Sequence, residues 1–184
     1  MIPLLNFVSI IMLNLSSQTN GVTLLDSQIM KNDNRWRIVN DDVMGGSSSS
    51  HVSVNQEDKI VFSGKVSLKN NGGFASLRSS IKDYRFEQHS GIEIHIKGDG
   101  KKYSLSMKET SSFTGSFYTA MFKTVKDDWL IVKIPFKSFA LYYFGREVRS
   151  DPRIPLNRIK EVSLLIGEKQ EGPFNAEIDF IRLY

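Results

Sequence analysis

The 184 residues include no cysteine. That excludes a disulfide scaffold, a cysteine nucleophile and a thiolate metal site. Histidine is scarce: His51, His89 and His95 are the three copies. None stands in an HxH or HExxH spacing that would hold zinc. GxSxG, P-loop and GxGxxG motifs are missing as well. The serines have no partner base near them, and a hydroxyl without an aligned base is a poor nucleophile. Nothing here calls for an enzyme. Basic residues occur singly or in pairs, as in Lys101-Lys102, so the net charge of +4 leaves no clustered footprint for nucleic acid. No apolar run reaches the ~20 residues of a membrane span, and no integral membrane span is expected.

What is present suits one soluble domain. The chain is 40% hydrophobic and 24% charged, ordinary for a globular protein. A chain of this length buries roughly two thirds of its unfolded surface, enough for a core without staples. The first fifteen residues, MIPLLNFVSIIMLNL, are apolar and carry no charged side chain. They have the length of a signal-peptide apolar region, and Ser16-Ser17 supply a cleavage site before Gln18. The expectation is a signal peptide over residues 1–17 and a single domain over 18–184. The mature chain would then be periplasmic or extracellular, or cytoplasmic if the leader is kept. A native N-terminus at Gln18 would establish the cleavage.

Alternation of period two dominates after residue 20. In GIEIHIKGDG, Ile92, Ile94 and Ile96 face one way and Glu93, His95 and Lys97 the other, which makes a half-buried strand. KYSLSMK repeats the pattern with Tyr103, Leu105 and Met107. Gly98-Asp99-Gly100 between them predicts a tight hairpin. Further strands are expected over 36–39, 51–54, 59–68, 73–78, 116–123, 129–135, 161–167 and 176–183. Short helical turns are expected at 136–139 and 156–159. Residues 142–157, with three arginines and two prolines, read as a long irregular loop. The fold class is therefore all-β, an antiparallel β-sandwich.

The candidate chemistry is sparse. Asp41-Asp42, Asp127-Asp128 and the pair Glu177 and Asp179 read as backbone caps or solvated acids. They call for no cofactor, and a structural calcium stays open without a named ligand. MGG at Met44–Gly46 and NNGGF at Asn70–Phe74 each set two glycines beside an apolar residue. Glycine, and next asparagine, tolerates positive φ and close backbone approach. Two tight turns packed together, with Met44 and Phe74 plugging the core edge, is the favoured reading. A backbone cradle for an anion or sugar hydroxyl is the other.

Taken together these pieces resemble a known family. WRIVNDDVMGGSS, FSGKVSLKNNGGFASLR, GDGKKY, YTAMF, WLIVKIPFKSF, FGRE and GPFNAEIDFIRLY occur in that order. In this order they resemble the complex I intermediate-associated protein 30 family over about residues 24–184. The resemblance implies a jelly roll of the galactose-binding-like type and a chaperone-like role in assembling complex I. It marks Asp41, Met44, Gly45, Gly46, Ser48, Asn71, Gly72, Gly73, Phe74, Arg78, Gly98, Asp99, Gly100, Tyr103, Gly145 and Arg146 as motif positions. Arg78 and Arg146 suit bidentate contact with a carboxylate or phosphate, and Arg78 could instead pin two loops by pairing with Asp41 or Asp99. The chain departs from the pattern at Asp42, Ser47 and Phe180, none of which breaks the fold.

Two functions follow as expectations. One is a non-enzymatic module that grips a protein client, acting as an assembly factor. The alternative is an exported carbohydrate-binding module, with Trp36, Tyr118, Tyr142 and Tyr143 available to stack on sugar rings. The oligomeric state cannot be read from the residues.

Overall fold

A computed structural model describes residues 21–81, 84–110, 115–143, 146–149 and 153–184. The expected leader over residues 1–17 and the motif residue Gly145 lie outside the described residues.

The alternating segments form strands. In chain order they are β1 (Thr23–Asp26), β2 (Trp36–Asn40), β3 (Ser49–Val54), β4 (Ile60–Val66) and β5 (Ala75–Ser80). Then come β6 (Gly91–Lys97), β7 (Lys102–Lys108), β8 (Ser116–Lys123), β9 (Trp129–Pro135) and β10 (Ala140–Tyr143). The last are β11 (Arg146–Arg149), β12 (Glu161–Ile166) and β13 (Gly172–Leu183). One α-helix among the described residues, α1 (Ser27–Asn32), follows β1, and Asp26 caps it by accepting the Ile29 N–H at 2.8 Å. Short 3₁₀ turns at Phe136–Ser138 and Leu156–Arg158 match the expected helical turns.

Two antiparallel sheets stack into a sandwich. One has six strands in the order β3-β4-β13-β6-β9, with β1 also paired to β13. The other has seven, in the order β11-β10-β8-β7-β12-β5-β2. Ile60, Phe62, Ile92, Ile94, Ile96 and Ile178 face the core from the first sheet, and Leu77, Tyr103, Leu105, Met107, Val162 and Leu164 from the second. All twelve are at most 1% exposed. Burying side chains of this size contributes about 1.5–3 kcal/mol each, which is what holds the layers together.

Three local expectations need correction. Gly98-Asp99-Gly100 does not close a hairpin. β6 pairs with β13 and β9, whereas β7 pairs with β8 and β12, so the chain crosses from one sheet to the other. The isoleucines of β6 and the apolar residues of β7 meet across the core instead of lying side by side. Residues 142–157 are not loop throughout, because Tyr142 and Tyr143 end β10 and β11 follows. At a sheet edge the pairing does not need one buried face, so alternation is a weak signal there. β1 and α1 were not expected at all; TLLD shows no alternation, and the six residues of SQIMKN make under two helical turns.

The crossing at Asp99 is held by side chains. Asp99 accepts the N–H of Lys101, the N–H of Asn175 and the hydroxyl of Tyr103, each at 3.1 Å. Burial, with the neighbouring Asp99 charge, raises the Tyr103 pKa, so the phenol stays a donor. Thr124 completes the corner: its Oγ1 accepts the Gly100 N–H at 3.1 Å and donates to the Lys101 carbonyl at 2.9 Å. Asp99→Ala should therefore cost about 2 kcal/mol, roughly 4–8 °C in melting temperature. Thermal unfolding followed by circular dichroism reads this directly, and a shift of under a degree would show that the corner is held by other means.

Candidate functional site

The motif residues do not converge on one pocket. The first group meets around Asp41, which is 1% exposed. A 3₁₀ turn over Asp41–Met44 follows β2, and Gly45 leaves it at φ 84°. The chain then doubles back through Gly46 into β3, crossing between the sheets. A second turn, Lys69–Asn71, carries the chain from β4 to β5 and crosses the other way. Asn70, Asn71 and Gly73 all take positive φ there, which is why asparagine and glycine fill the stretch.

Asp41 ties these two crossings together. Its Oδ1 accepts the Ser48 N–H at 2.8 Å. Its Oδ2 accepts the Ser48 hydroxyl at 2.5 Å, the Gly73 N–H at 2.6 Å and the Phe74 N–H at 3.2 Å. The Ser48 Oγ in turn accepts the Ser67 N–H at 2.9 Å. Burial pushes the Asp41 pKa up, but the bonds from Ser48, Gly73 and Phe74 outweigh it, and the net direction is down. Gly46 and Gly72 press on the carboxylate from either side; a Cβ on either would collide with it. Asp41, Gly45, Gly46, Ser48, Asn71, Gly72 and Gly73 thus form one structural knot, as expected for packed tight turns. Met44 does not plug the core edge. It points outward and is 63% exposed, because the turn after Asp41 carries it to the solvent side. Ser67, which lies within FSGKVSLKNNGGFASLR but is not among the motif positions named above, also belongs to the knot.

Arg78 lies elsewhere and pairs with neither Asp41 nor Asp99. It stands on β5 with its side chain on the outer face of the seven-stranded sheet. Its Nε donates to Ser76 Oγ at 2.9 Å, its Nη1 lies 3.7 Å from Glu161, and its guanidinium sits 5.9 Å from the Phe74 ring. Arg37 Nη2 approaches the same carboxylate at 3.6 Å, and Lys108 is its cross-strand neighbour. Glu161 is buried, and neither oxygen accepts a hydrogen bond from the described residues. Burial pushes its pKa up against the pull of Arg78, Lys108 and Arg37. Ser104, Ser106, Ser163 and Thr119 share this face and are also buried. Asp99 and Tyr103 hold the other corner, and Arg146 is exposed on β11 at the far edge of the sheet.

The outer face of the six-stranded sheet is built differently. His95 is half-buried between Trp129 at 4.7 Å and Phe180 at 5.5 Å, ring centre to ring centre. Its Nδ1 lies 2.9 Å from Asp179, which Lys59 also contacts. Asp179 sits at a break in the β13–β6 register, a bulge that turns its carboxylate toward His95. The desolvation of Asp179 is outweighed by Lys59 and His95, so its pKa is lowered. Arg182 covers Phe180 at 4.3 Å and, with Lys133, pairs with the buried Glu93. Trp129 and Lys133 fall in WLIVKIPFKSF and Asp179, Phe180 and Arg182 in GPFNAEIDFIRLY, but nothing in those stretches singled out the network, since charges alternating with aromatics on a strand look like an ordinary wet face.

The aromatics expected on a sugar platform divide. Trp36 and Tyr118 belong to the core, and the Trp36 Nε1–H bonds the Leu24 carbonyl at 3.1 Å. Tyr142 stacks on Phe117 at 5.8 Å and donates to Glu147 at 3.2 Å. Tyr143 remains half exposed. Among the described residues no group of three or more acidic or imidazole side chains could hold a metal, and no helix is long and apolar enough to cross a membrane.

The sequence and fold both have relatives. A family profile described as complex I intermediate-associated protein 30 matches residues 25–178. An uncharacterized protein of Schizosaccharomyces pombe is 32% identical over 168 residues, which is 80% of this chain and 76% of that protein. The mitochondrial complex I intermediate-associated protein 30 of Drosophila melanogaster is 25% identical over 81% of this chain and 58% of its own length. Its counterpart in Mus musculus is 23% identical, over 82% and 52%. The chain spans about half the length of these mitochondrial relatives. Among solved structures, a family 11 carbohydrate-binding module from Clostridium thermocellum, bound to a β-1,3-1,4-mixed-linked tetrasaccharide, has a TM-score of 0.63. It is 16% identical, with 89% of this chain and 95% of that chain covered. An agarase matches with a TM-score of 0.61 at 8% identity, over 89% of this chain and 24% of its own. At such identities the likeness is one of fold.

Proposed function

The chain belongs to the complex I intermediate-associated protein 30 family, and on that premise we propose that it is a non-enzymatic binding module that assists assembly of a protein complex, complex I in the first instance. One observation carries the reading. The profile match runs from β1 into β13, so the part shared with the mitochondrial assembly proteins is the sandwich itself. The family motifs support it, because they hold the crossings between sheets and so stiffen a scaffold rather than line a pocket. A rigid sandwich can present an outer sheet face and its loops to a client with little ordering cost. No catalytic step is assigned to any residue.

The carbohydrate reading has less support. Of its four aromatics two are used up in the core and a third is stacked on Phe117. The glycan ligands of the solved neighbours stay with those proteins.

In the organism that makes the chain, deleting its gene should lower the amount of assembled complex I seen on native gels. A tagged copy should co-purify with a complex I subassembly and not with the finished enzyme. Normal complex I together with no bound subassembly would sink the proposal.

A further inference from the structure

The outer edge of β9 is the feature that the assembly reading leaves unused. β9 terminates the six-stranded sheet and packs chiefly on β6. The other edge of that sheet, β3, lies against β2, β5 and α1. Phe136 donates its N–H to the Ser90 carbonyl at 3.0 Å, which fixes the phase of the β6–β9 ladder. Ile134, Val132 and Leu130 therefore exchange bonds with Ile92, Ile94 and Ile96. The N–H and C=O groups of Trp129, Ile131 and Lys133 point away from β6, at an edge that no other described strand covers. Ile131 is 60% exposed. An apolar edge strand of this kind is a template for a further strand.

We propose that two copies of this chain pair antiparallel through β9, with the two-fold axis at Ile131, and join their six-stranded sheets into one. The strand is complementary to itself in that register. Ile131 meets Ile131 of the second copy, and Trp129 meets its Lys133. Every outward N–H and C=O of the three residues then finds a partner, since Trp129 and Lys133 lie equally far from the axis. The cross-strand Trp–Lys pairs place a cation against an aromatic ring, a favourable contact. Other registers are worse. An axis at Lys133 sets like charges opposite each other. An axis at Val132 brings Trp129 against Pro135, which has no N–H. An axis at Leu130 sends Lys133 to Asp127, whose φ is 59° and whose N–H already bonds the Gly98 carbonyl.

Analytical ultracentrifugation of the full chain over a concentration series tests this. The wild type should show a monomer–dimer equilibrium. Ile131→Glu and Ile131→Lys should each raise the dissociation constant by roughly tenfold or more, because like charges then face each other at the axis. Mixed in equal amounts, the two variants should recover the dimer as a heterodimer. Melting curves of both variants confirm folding, and in the wild type slower amide exchange at Ile131 and Lys133 with rising concentration gives a measurement without substitution. A monomer at every concentration, a dimer unaffected by either charge, or no recovery on mixing would each overturn the proposal; the first would leave the edge to a strand from another protein.

Discussion

Asp41→Asn should lower the melting temperature by roughly 6–12 °C, the equivalent of about 3 kcal/mol. The substitution keeps the shape of the side chain and removes its charge. Both carboxylate oxygens accept in the knot: Oδ1 from the Ser48 N–H, and Oδ2 from Ser48, Gly73 and Phe74. Whichever way the amide is turned, its NH₂ faces donors it cannot satisfy. Charge-assisted bonds inside a protein are about twice as strong as neutral ones, so those that survive are also weakened. The pH dependence gives a second readout. The folded pKa of Asp41 is held below the ordinary value, so its stabilisation is complete above the unfolded carboxylate range, near pH ~4. It is lost as pH falls through the folded pKa. Asparagine does not titrate, so the gap between wild type and variant should narrow as pH drops below about 4. A variant that melts with the wild type at neutral pH would show that the two crossings do not depend on this carboxylate.

Much of the sandwich was legible in the sequence because alternation records which side chains are buried. Ile92, Ile94 and Ile96, then Tyr103, Leu105 and Met107, were placed on the core side from spacing alone, and they lie there. Alternation does not record which sheet a strand joins. That is why Gly98-Asp99-Gly100 read as a hairpin: the turn signal is local, while the pairing of β6 with β13 and of β7 with β12 is set by residues more than about fifty positions away, beyond reach of any short window. Arg78 was misassigned for the same reason. Glu161, a carboxylate it approaches, comes from β12, which is adjacent only after folding. Met44 was misplaced by an assumption that an apolar residue in a motif must be buried, although single exposed apolar residues are common.

The knot itself was the most readable part, since its residues are constrained by backbone geometry. Crossing between stacked sheets requires sharp corners, and sharp corners need positive φ, close approach and buried amides with acceptors. Asp, Gly, Asn and Ser meet those needs at Asp41–Ser48 and Lys69–Gly73. The corner at Asp99 repeats the solution with Thr124 and Tyr103. In both places an aspartate accepts amides from two separate segments, so in this chain these motif residues stitch the sheets together. A surface that grips another protein leaves no comparable trace, because its residues obey no backbone constraint.

Gly45 and Gly46 are adjacent but are glycine for different reasons, and substitution should separate them. Gly45 has φ 84° and open space around the position of a Cβ. Gly45→Ala should cost about 1 kcal/mol from the left-handed conformation alone, and Gly45→Val at least ~1 kcal/mol because the branched side chain fits worse. Gly45→Asn should recover most of the loss, since asparagine tolerates that region. Gly46 does not have positive φ; a Cβ there runs into the Asp41 carboxylate. That carboxylate is fixed by its four bonds and cannot give way, so Gly46→Ala should cost about 3 kcal/mol, and asparagine should be no better. If the collision is with the Asp41 carboxylate, then Asp41→Ala removes its two nearest atoms, Oδ1 and Cγ, and leaves only the Cβ at 2.8 Å. The double variant Asp41→Ala, Gly46→Ala should then be more stable than the sum of the two losses predicts, by at least ~1 kcal/mol. Strictly additive losses in chemical denaturation would mean that Gly46 is constrained by the backbone path and not by the carboxylate.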